Sequence, residues 1–211
     1  MSKVVLDSNH FDSKARQWDS NPVFVERAEK IAAAIRAEVP LDTGMSALDY
    51  GCGSGLLSFP LKDALGHITL KDTSAGMLAV VAEKIAGQGV TNMTVRQTDL
   101  TADPLPDERY DLIYSSMTLH HIPDTAHILA VFHQLLNPGG HLCIADLDQE
   151  DGSFHGIEVD VHHGFDRDAL AGLAQAAGFR DVRFRTVFEI VKPKEDGERA
   201  YPVFLMSATR D

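Results

Sequence analysis

From Met45 onward the chain alternates between two kinds of hydrophobic pattern. Short strand-like apolar runs occur at SALDY (46–50), HITLKD (67–72), NMTVRQ (92–97), YDLIYSS (110–116) and GHLCIADL (140–147). Helix-like segments lie between them. Residues 55–65 place Leu56, Leu57, Phe59 and Leu61 over one face, with Pro60 either in the first turn or bending the helix. Residues 74–89 open on Ser74 as an N-cap and close on glycine, and residues 123–140 open on Pro123 and stop at Asn-Pro-Gly-Gly. Strand–helix alternation of this kind predicts a parallel sheet covered by helices on both faces.

The two ends break the alternation. Residues 165–179 predict one more helix, with Asp166 as N-cap and Gly178 as stop. Two strands then follow, 180–192 and 201–210, with no helix between them, and the polar stretch around PKEDGERA reads as their turn. That is a hairpin closing one sheet edge antiparallel. Near the N-terminus, residues 21–39 predict a helix with Val25, Ala28, Ile31, Ala32 and Ile35 on one face, either packed on the sheet or lidding a site. The 211 residues are read as one domain: an N-terminal helical lid (1–40) and a Rossmann-like core (41–211).

Composition narrows the function classes. Net charge is −12, from 31 acidic against 19 basic residues, with no Lys/Arg cluster. That argues against nucleic acid, whose phosphates require a basic surface. No apolar run approaches a membrane span, and the N-terminal residues lack the apolar core of a signal peptide. Cys52 and Cys143 are read as reduced, which points to the cytoplasm.

The candidate chemistry gathers at strand ends. Gly51, Gly53 and Gly55 follow the first strand, where ligands lie in open α/β sheets. The spacing is G-x-G-x-G; the dinucleotide pattern G-x-G-x-x-G fails at Leu56. Asp49, just before the turn, disfavours a pyrophosphate and favours an ammonium or sulfonium ligand. Asp72 ends the second strand and is placed either to accept ribose hydroxyls or to cap the next helix. Asp99, after the third strand, is placed either to accept an adenine amino proton or to cap a turn with Thr101. Cys52 reads as a small filler of the turn, since no base is tied to it.

Five segments carry a family resemblance: LDYGCGSG (48–55), LKDTSAGML (70–78), RQTDL (96–100), YDLIYSSMTLHHIPD (110–124) and LLNPGGHLCIADL (135–147). With them the chain resembles class I S-adenosylmethionine-dependent methyltransferases, over about residue 11 to the C-terminus, and FDSKARQWD (11–19) is similar to the family's N-terminal lid. The resemblance implies a doubly wound seven-stranded sheet of order 3-2-1-4-5-7-6 with strand 7 antiparallel. It also implies S-adenosyl-L-methionine as cofactor and a small-molecule methyl acceptor. The cofactor site it implies comprises Asp49, Gly51, Cys52 and Gly53 at the turn, Asp72 at the ribose, Asp99 and Leu100 at the adenine, Ser115 through its backbone, and also Thr73 and Met77.

The acceptor side is less legible. His120 and His163 are the candidates for a site or acid/base role, while His155 and His162 read as polar residues of a surface loop. Phe11 and Trp18, four plus three residues apart, either pack the lid or form an aromatic wall over a sulfonium. No rigid ligand spacing assigns a metal. SSMTLHH after the fourth strand lacks the [DNS]-P-P-[YFW] motif of amino-group methylators, and two cysteines are too few for an arsenic methylator. The competing expectations are a nicotinamide-dependent oxidoreductase, which the turn spacing opposes, and a non-catalytic cofactor-binding regulator.

Overall fold

The computed structural model describes Val4, residues 8–194 and residues 197–211. Seven strands form one sheet of order β3-β2-β1-β4-β5-β7-β6. They are β1 (Ser46–Tyr50), β2 (His67–Asp72), β3 (Met93–Gln97), β4 (Tyr110–Ser116), β5 (Leu136–Leu147), β6 (Phe179–Lys194) and β7 (Gly197–Arg210). The first five strands pair in parallel, while β7 runs antiparallel to both β5 and β6. The expected order and the antiparallel hairpin are both present.

Alternating side chains sort onto the two faces of the sheet. Ala47, Leu112, Cys143 and Leu205 join one core with Ile31 and Ile35 of α3 (Pro22–Glu38) and with Leu78 and Val81 of α5 (Ala75–Gln88). Their sequence neighbours Leu48, Ile113, Ile144 and Phe204 join the opposite core with Ile128 and Phe132 of α6 (Thr125–Leu135) and Leu170 of α7 (Arg167–Ala176). Burial on both faces explains why these strands read as nearly continuous apolar runs.

Caps fix the helix starts as the sequence indicates. Ser74 Oγ accepts from Met77 N–H, and Asp166 Oδ1 accepts from Ala169 N–H. Gly89 closes α5 in the left-handed conformation. Three expectations are corrected. The helix expected over 55–65 is a single turn, α4 (Ser58–Leu61), followed by a 3₁₀ turn, with Pro60 in the first turn, where a missing N–H costs nothing. Helix α6 ends at Leu135, and Asn-Pro-Gly-Gly is the lead-in of β5. The polar stretch expected as a loop is largely strand, paired as far as Lys194↔Gly197; its residues 195 and 196 lie outside the described residues.

Candidate functional site

A cavity of about 1100 Å³ opens at the carboxyl ends of β1, β2 and β4. Its floor is the turn after β1. Gly51, Gly53 and Gly55 all have positive φ (68°, 53° and 79°), the region that favours glycine. At Gly51 a Cβ would stand 2.3 Å from the Thr118 side chain, so the backbone lies against that residue. Gly51 and Cys52 donate their N–H groups to Lys71 O, which ties the turn to the end of β2.

Asp72 organises the crossing. One carboxylate oxygen accepts from Gly53 N–H and the other from Ser74 N–H, each at 2.8 Å. One side chain therefore fixes the glycine turn and the entry to α5, while still lining the cavity with Thr73 and Met77. Burial raises its pKa despite those backbone donors. Asp49 lies beneath the turn. Ser58 Oγ–H donates to its Oδ2 at 2.6 Å, and Ser58 Oγ lies 2.6 Å from the Tyr114 hydroxyl. Burial pushes Asp49 up to about 7, the Ser58 hydrogen bond works against that, and the Asp72 charge adds to it. Burial, with Asp49 and Asp72 nearby, also holds the Cys52 thiol well above its ordinary pKa, which suits a filler and not a nucleophile.

Two acids of the N-terminal helices fasten a lid onto this floor. Asp12, ending α1 (Ser8–Asp12), accepts from Ser74 Oγ–H (2.5 Å) and Gly76 N–H (2.8 Å) at the start of α5. Asp19, just after α2 (Ala15–Trp18), accepts from Ser54 Oγ–H and from Lys84 Nζ (2.7 Å), and Lys84 also donates to Ser54 O. Phe11 stacks edge-on with both Trp18 and His121, at ring separations of 6.2 and 5.4 Å, and Trp18 rests on Phe24 at 4.8 Å. Packing and wall coincide here, since Phe11 and Trp18 pack together and also line the cavity.

The far end of the cavity is rich in imidazole. Met117 turns the chain after β4 with a positive φ of 56°, an uncommon state for a non-glycine residue. The turn aims His120 and His121 back at the cavity. His120 is buried; its Nδ1 lies 2.7 Å from Asp146 Oδ1, and its backbone N–H donates to Asp146 Oδ2. Burial works to raise the Asp146 pKa, but the charge and hydrogen bond of His120 outweigh it and hold the carboxyl below its ordinary value. His120 Nε2 lies 3.0 Å from His155 Nε2. His121 Nδ1 is buried without a hydrogen-bond partner among the described residues. Burial is the main cause that pushes His121 down to about 3 and His155 down to about 4, with His120 adding to both, so these imidazoles are neutral at pH 7.

Arg27 of α3 also lines the cavity and is 9% exposed. Burial lowers its pKa to about 10, with Asp146 pulling the other way. Its guanidinium lies 5.1 Å from the Phe24 ring, and no carboxylate pairs with it among the described residues. Lys192 of β6 stands on the opposite wall, donating to Phe154 O over the Phe154 ring.

The expected site residues separate into two groups. Asp49, Gly51, Cys52, Gly53, Asp72, Thr73, Met77, Asp99, His120, Phe11 and Trp18 all line one cavity. Asp99 caps its turn, with Oδ1 accepting from Thr101 N–H and Oγ–H, and it also lines the cavity. Leu100, Ser115 and His163 are absent from the lining. Leu100 turns into the core beside Tyr50. The Ser115 side chain is buried with its hydroxyl donating to Tyr50 O, and its neighbour Ser116 lines the cavity. His163 packs behind the cavity against Gly152, where a Cβ would stand 2.7 Å from its ring. His155 is corrected in the other direction, from surface loop to cavity wall. Half-buried His162 lies with Nε2 2.9 Å from Ile122 O. Arg27 was missed because its position in α3 reads only as one more residue of an amphipathic helix.

Comparison with known proteins agrees with this geometry. A family model described as a methyltransferase domain matches residues 47–140. An uncharacterized methyltransferase of Schizosaccharomyces pombe is 32% identical over 154 residues, 70% of this chain and 52% of that protein. A ubiquinone biosynthesis O-methyltransferase of Marinobacter nauticus is 33% identical over 114 residues, 53% of this chain and 48% of that one. The chain thus spans about half the length of these curated relatives. Among solved structures, phosphoethanolamine N-methyltransferase 2 of Haemonchus contortus, in complex with phosphomonomethylethanolamine and S-adenosylhomocysteine, superposes with a TM-score of 0.74. That likeness covers 98% of this chain and 60% of that one at 16% identity, a likeness of fold alone. The matched segment identifies residues 47–140 as a methyltransferase domain, and the strand order and the glycine turn followed by Asp72 are those of a class I S-adenosylmethionine-dependent methyltransferase.

Proposed function

We propose that the chain transfers a methyl group from S-adenosyl-L-methionine to a small molecule held at the histidine end of the cavity. The observation that carries this reading is the turn Gly51–Gly55, whose three glycines all have positive φ, gripped by Asp72 and floored by buried Asp49 in a cavity large enough for both reactants. The residues fit the cofactor. Gly51, Cys52 and Gly53 would border its methionine end, Asp72 and Thr73 its ribose, and Asp99 its adenine, with Met77 alongside. Ser115 would contribute through its backbone, beside the lining residue Ser116.

When bound, S-adenosyl-L-methionine supplies a methyl group already activated on a sulfonium. Asp49 favours that cation over the neutral product, because ionising a buried carboxyl is helped by a nearby positive charge. The lid, held by Asp12 and Asp19, excludes water and orders the acceptor pocket. Asp146 orients the His120 ring through Nδ1, which places Nε2 beside His155 Nε2 at the acceptor end. Arg27, a buried cation that pairs with no carboxylate among the described residues, favours an acceptor with an anionic group. The residues form a single domain with residues 1–40 as lid, working in the cytoplasm. Within the described residues no helix is long and apolar enough to cross a membrane.

The test is transfer of labelled methyl from S-adenosyl-L-methionine to a small-molecule extract and to matched acid and methyl-ester acceptors. Product is expected from the extract, and acids are expected to outperform their esters. No labelled product from any source, under conditions where S-adenosylhomocysteine binds, would leave a binding protein in place of an enzyme.

A further inference from the structure

The geometry points to a divalent metal site, of the kind that takes zinc, formed by His120, His121 and His155 at the acceptor end of the cavity. Each offers a ring nitrogen, and the three lie within 4.8 Å of one another. His120 and His155 already bring their Nε2 atoms to 3.0 Å. Around a tetrahedral ion with bonds of about 2.0–2.1 Å, ligand nitrogens stand ~3.3 Å apart. Rotamer shifts of roughly an ångström therefore close the set around one ion.

Three further features suit a metal better than a chance cluster. The Nδ1 proton of His120 is held by Asp146, the carboxylate–histidine arrangement that fixes tautomer and ring orientation in metal centres. The Nδ1 atom of His121 is buried and unpartnered among the described residues, a cost that coordination of this ring would remove if Nδ1 is its ligand atom. All three rings line the cavity, so the positions they leave open on the ion face the acceptor. Three imidazoles with an open position are the donor set of catalytic zinc. The site also joins distant parts of the chain. His120 and His121 come from the turn after β4, and His155 comes from the loop after β5, which is pinned by backbone bonds between Val4 and both Glu158 and Asp160.

The ion's role in the reaction rests on the proposed methyl transfer; the existence of the site does not. Bound at the acceptor end, the ion would coordinate a hydroxyl or thiol acceptor and lower its pKa, taking over from His120 Nε2 the task of stabilising the deprotonated nucleophile. The acceptor class is accordingly an alcohol, phenol or thiol.

The experiment is calorimetric titration of the full chain with zinc ion alone, with cobalt substituted to read coordination from its visible spectrum. One equivalent is expected to bind, with a tetrahedral nitrogen-type cobalt spectrum. His155→Ala and His121→Ala are each expected to weaken binding at least 100-fold, and Asp146→Asn 10–100-fold. S-adenosylhomocysteine is titrated into the same variants as a check on folding, and its affinity is expected to stay within about threefold in His155→Ala. Absence of saturable zinc binding by the wild type, or zinc affinity unchanged in His155→Ala and His121→Ala, would overturn the proposal. Loss of S-adenosylhomocysteine binding by the wild type with zinc binding intact would instead overturn the methyl-transfer reading and leave the metal site standing.

Discussion

At the scale of single residues, the cavity floor depends on side chains doing two tasks at once. Asp49 is a buried carboxyl whose pKa is raised to about 7. A folded-state value above the unfolded one stabilises the fold at low pH, and that contribution is lost as pH rises from about 4 through about 7. Asp49→Asn removes the titration. Urea unfolding between pH 5 and 6 should therefore show the variant gaining on the wild type by up to ~1.4 kcal/mol per pH unit. Parallel pH profiles for the two proteins would show that Asp49 is ionised throughout. Gly51 makes a second prediction. Its positive φ and the 2.3 Å approach of a Cβ to Thr118 should make Gly51→Ala cost about 1–3 kcal/mol in the same assay.

These residues were legible in the sequence to different degrees. Asp49, Asp72 and the glycines announce themselves because they abut strand ends. His155 did not, because only the path of the loop after β5 brings it to His120. Adjacent strand residues point to opposite faces, so the Ser115 hydroxyl is buried against Tyr50 O while the Ser116 side chain lines the cavity.

At the scale of elements, the lid is a pair of very short helices whose stability is borrowed from the core. Five- and four-residue helices do not persist alone in water, so α1 and α2 are held by Asp12, Asp19 and the Phe11–Trp18 aromatic packing. Asp19→Ala should cost about 1 kcal/mol and speed amide exchange selectively in residues 8–20, with β1 and β4 unchanged. A uniform rise across the protein would show that the tether serves global stability instead. The sequence located this segment and helix α3, but the single turn of α4 and the full length of the terminal hairpin escaped it. The first passes directly into a 3₁₀ turn, while backbone pairing carries the second through polar residues that pattern alone assigns to a turn.

At the scale of the whole molecule, strand order creates the site. The chain leaves β1 toward β2 on one side, and β4 occupies the other, so their carboxyl ends diverge and open the crevice in which the glycine turn sits. The antiparallel hairpin closes the far edge and brings Lys192 to the cavity wall. The strand–helix alternation was legible because both faces of the central sheet are buried and the helices between strands are capped in sequence, whereas the strand order followed from the family resemblance. The acceptor pocket was not, because it is assembled from α3, two loops and β6, with no shared local pattern.

The central claim is that this crevice holds an adenosyl sulfonium cofactor through Asp72, and calorimetry with S-adenosylhomocysteine tests it most directly. The wild type should bind one equivalent. Asp72→Ala should lose at least 30-fold in affinity (~2 kcal/mol) while unfolding cooperatively, since it removes a charged hydrogen-bonding group from the site. No binding heat from the wild type, or equal affinity in the folded Asp72→Ala variant, would contradict the account.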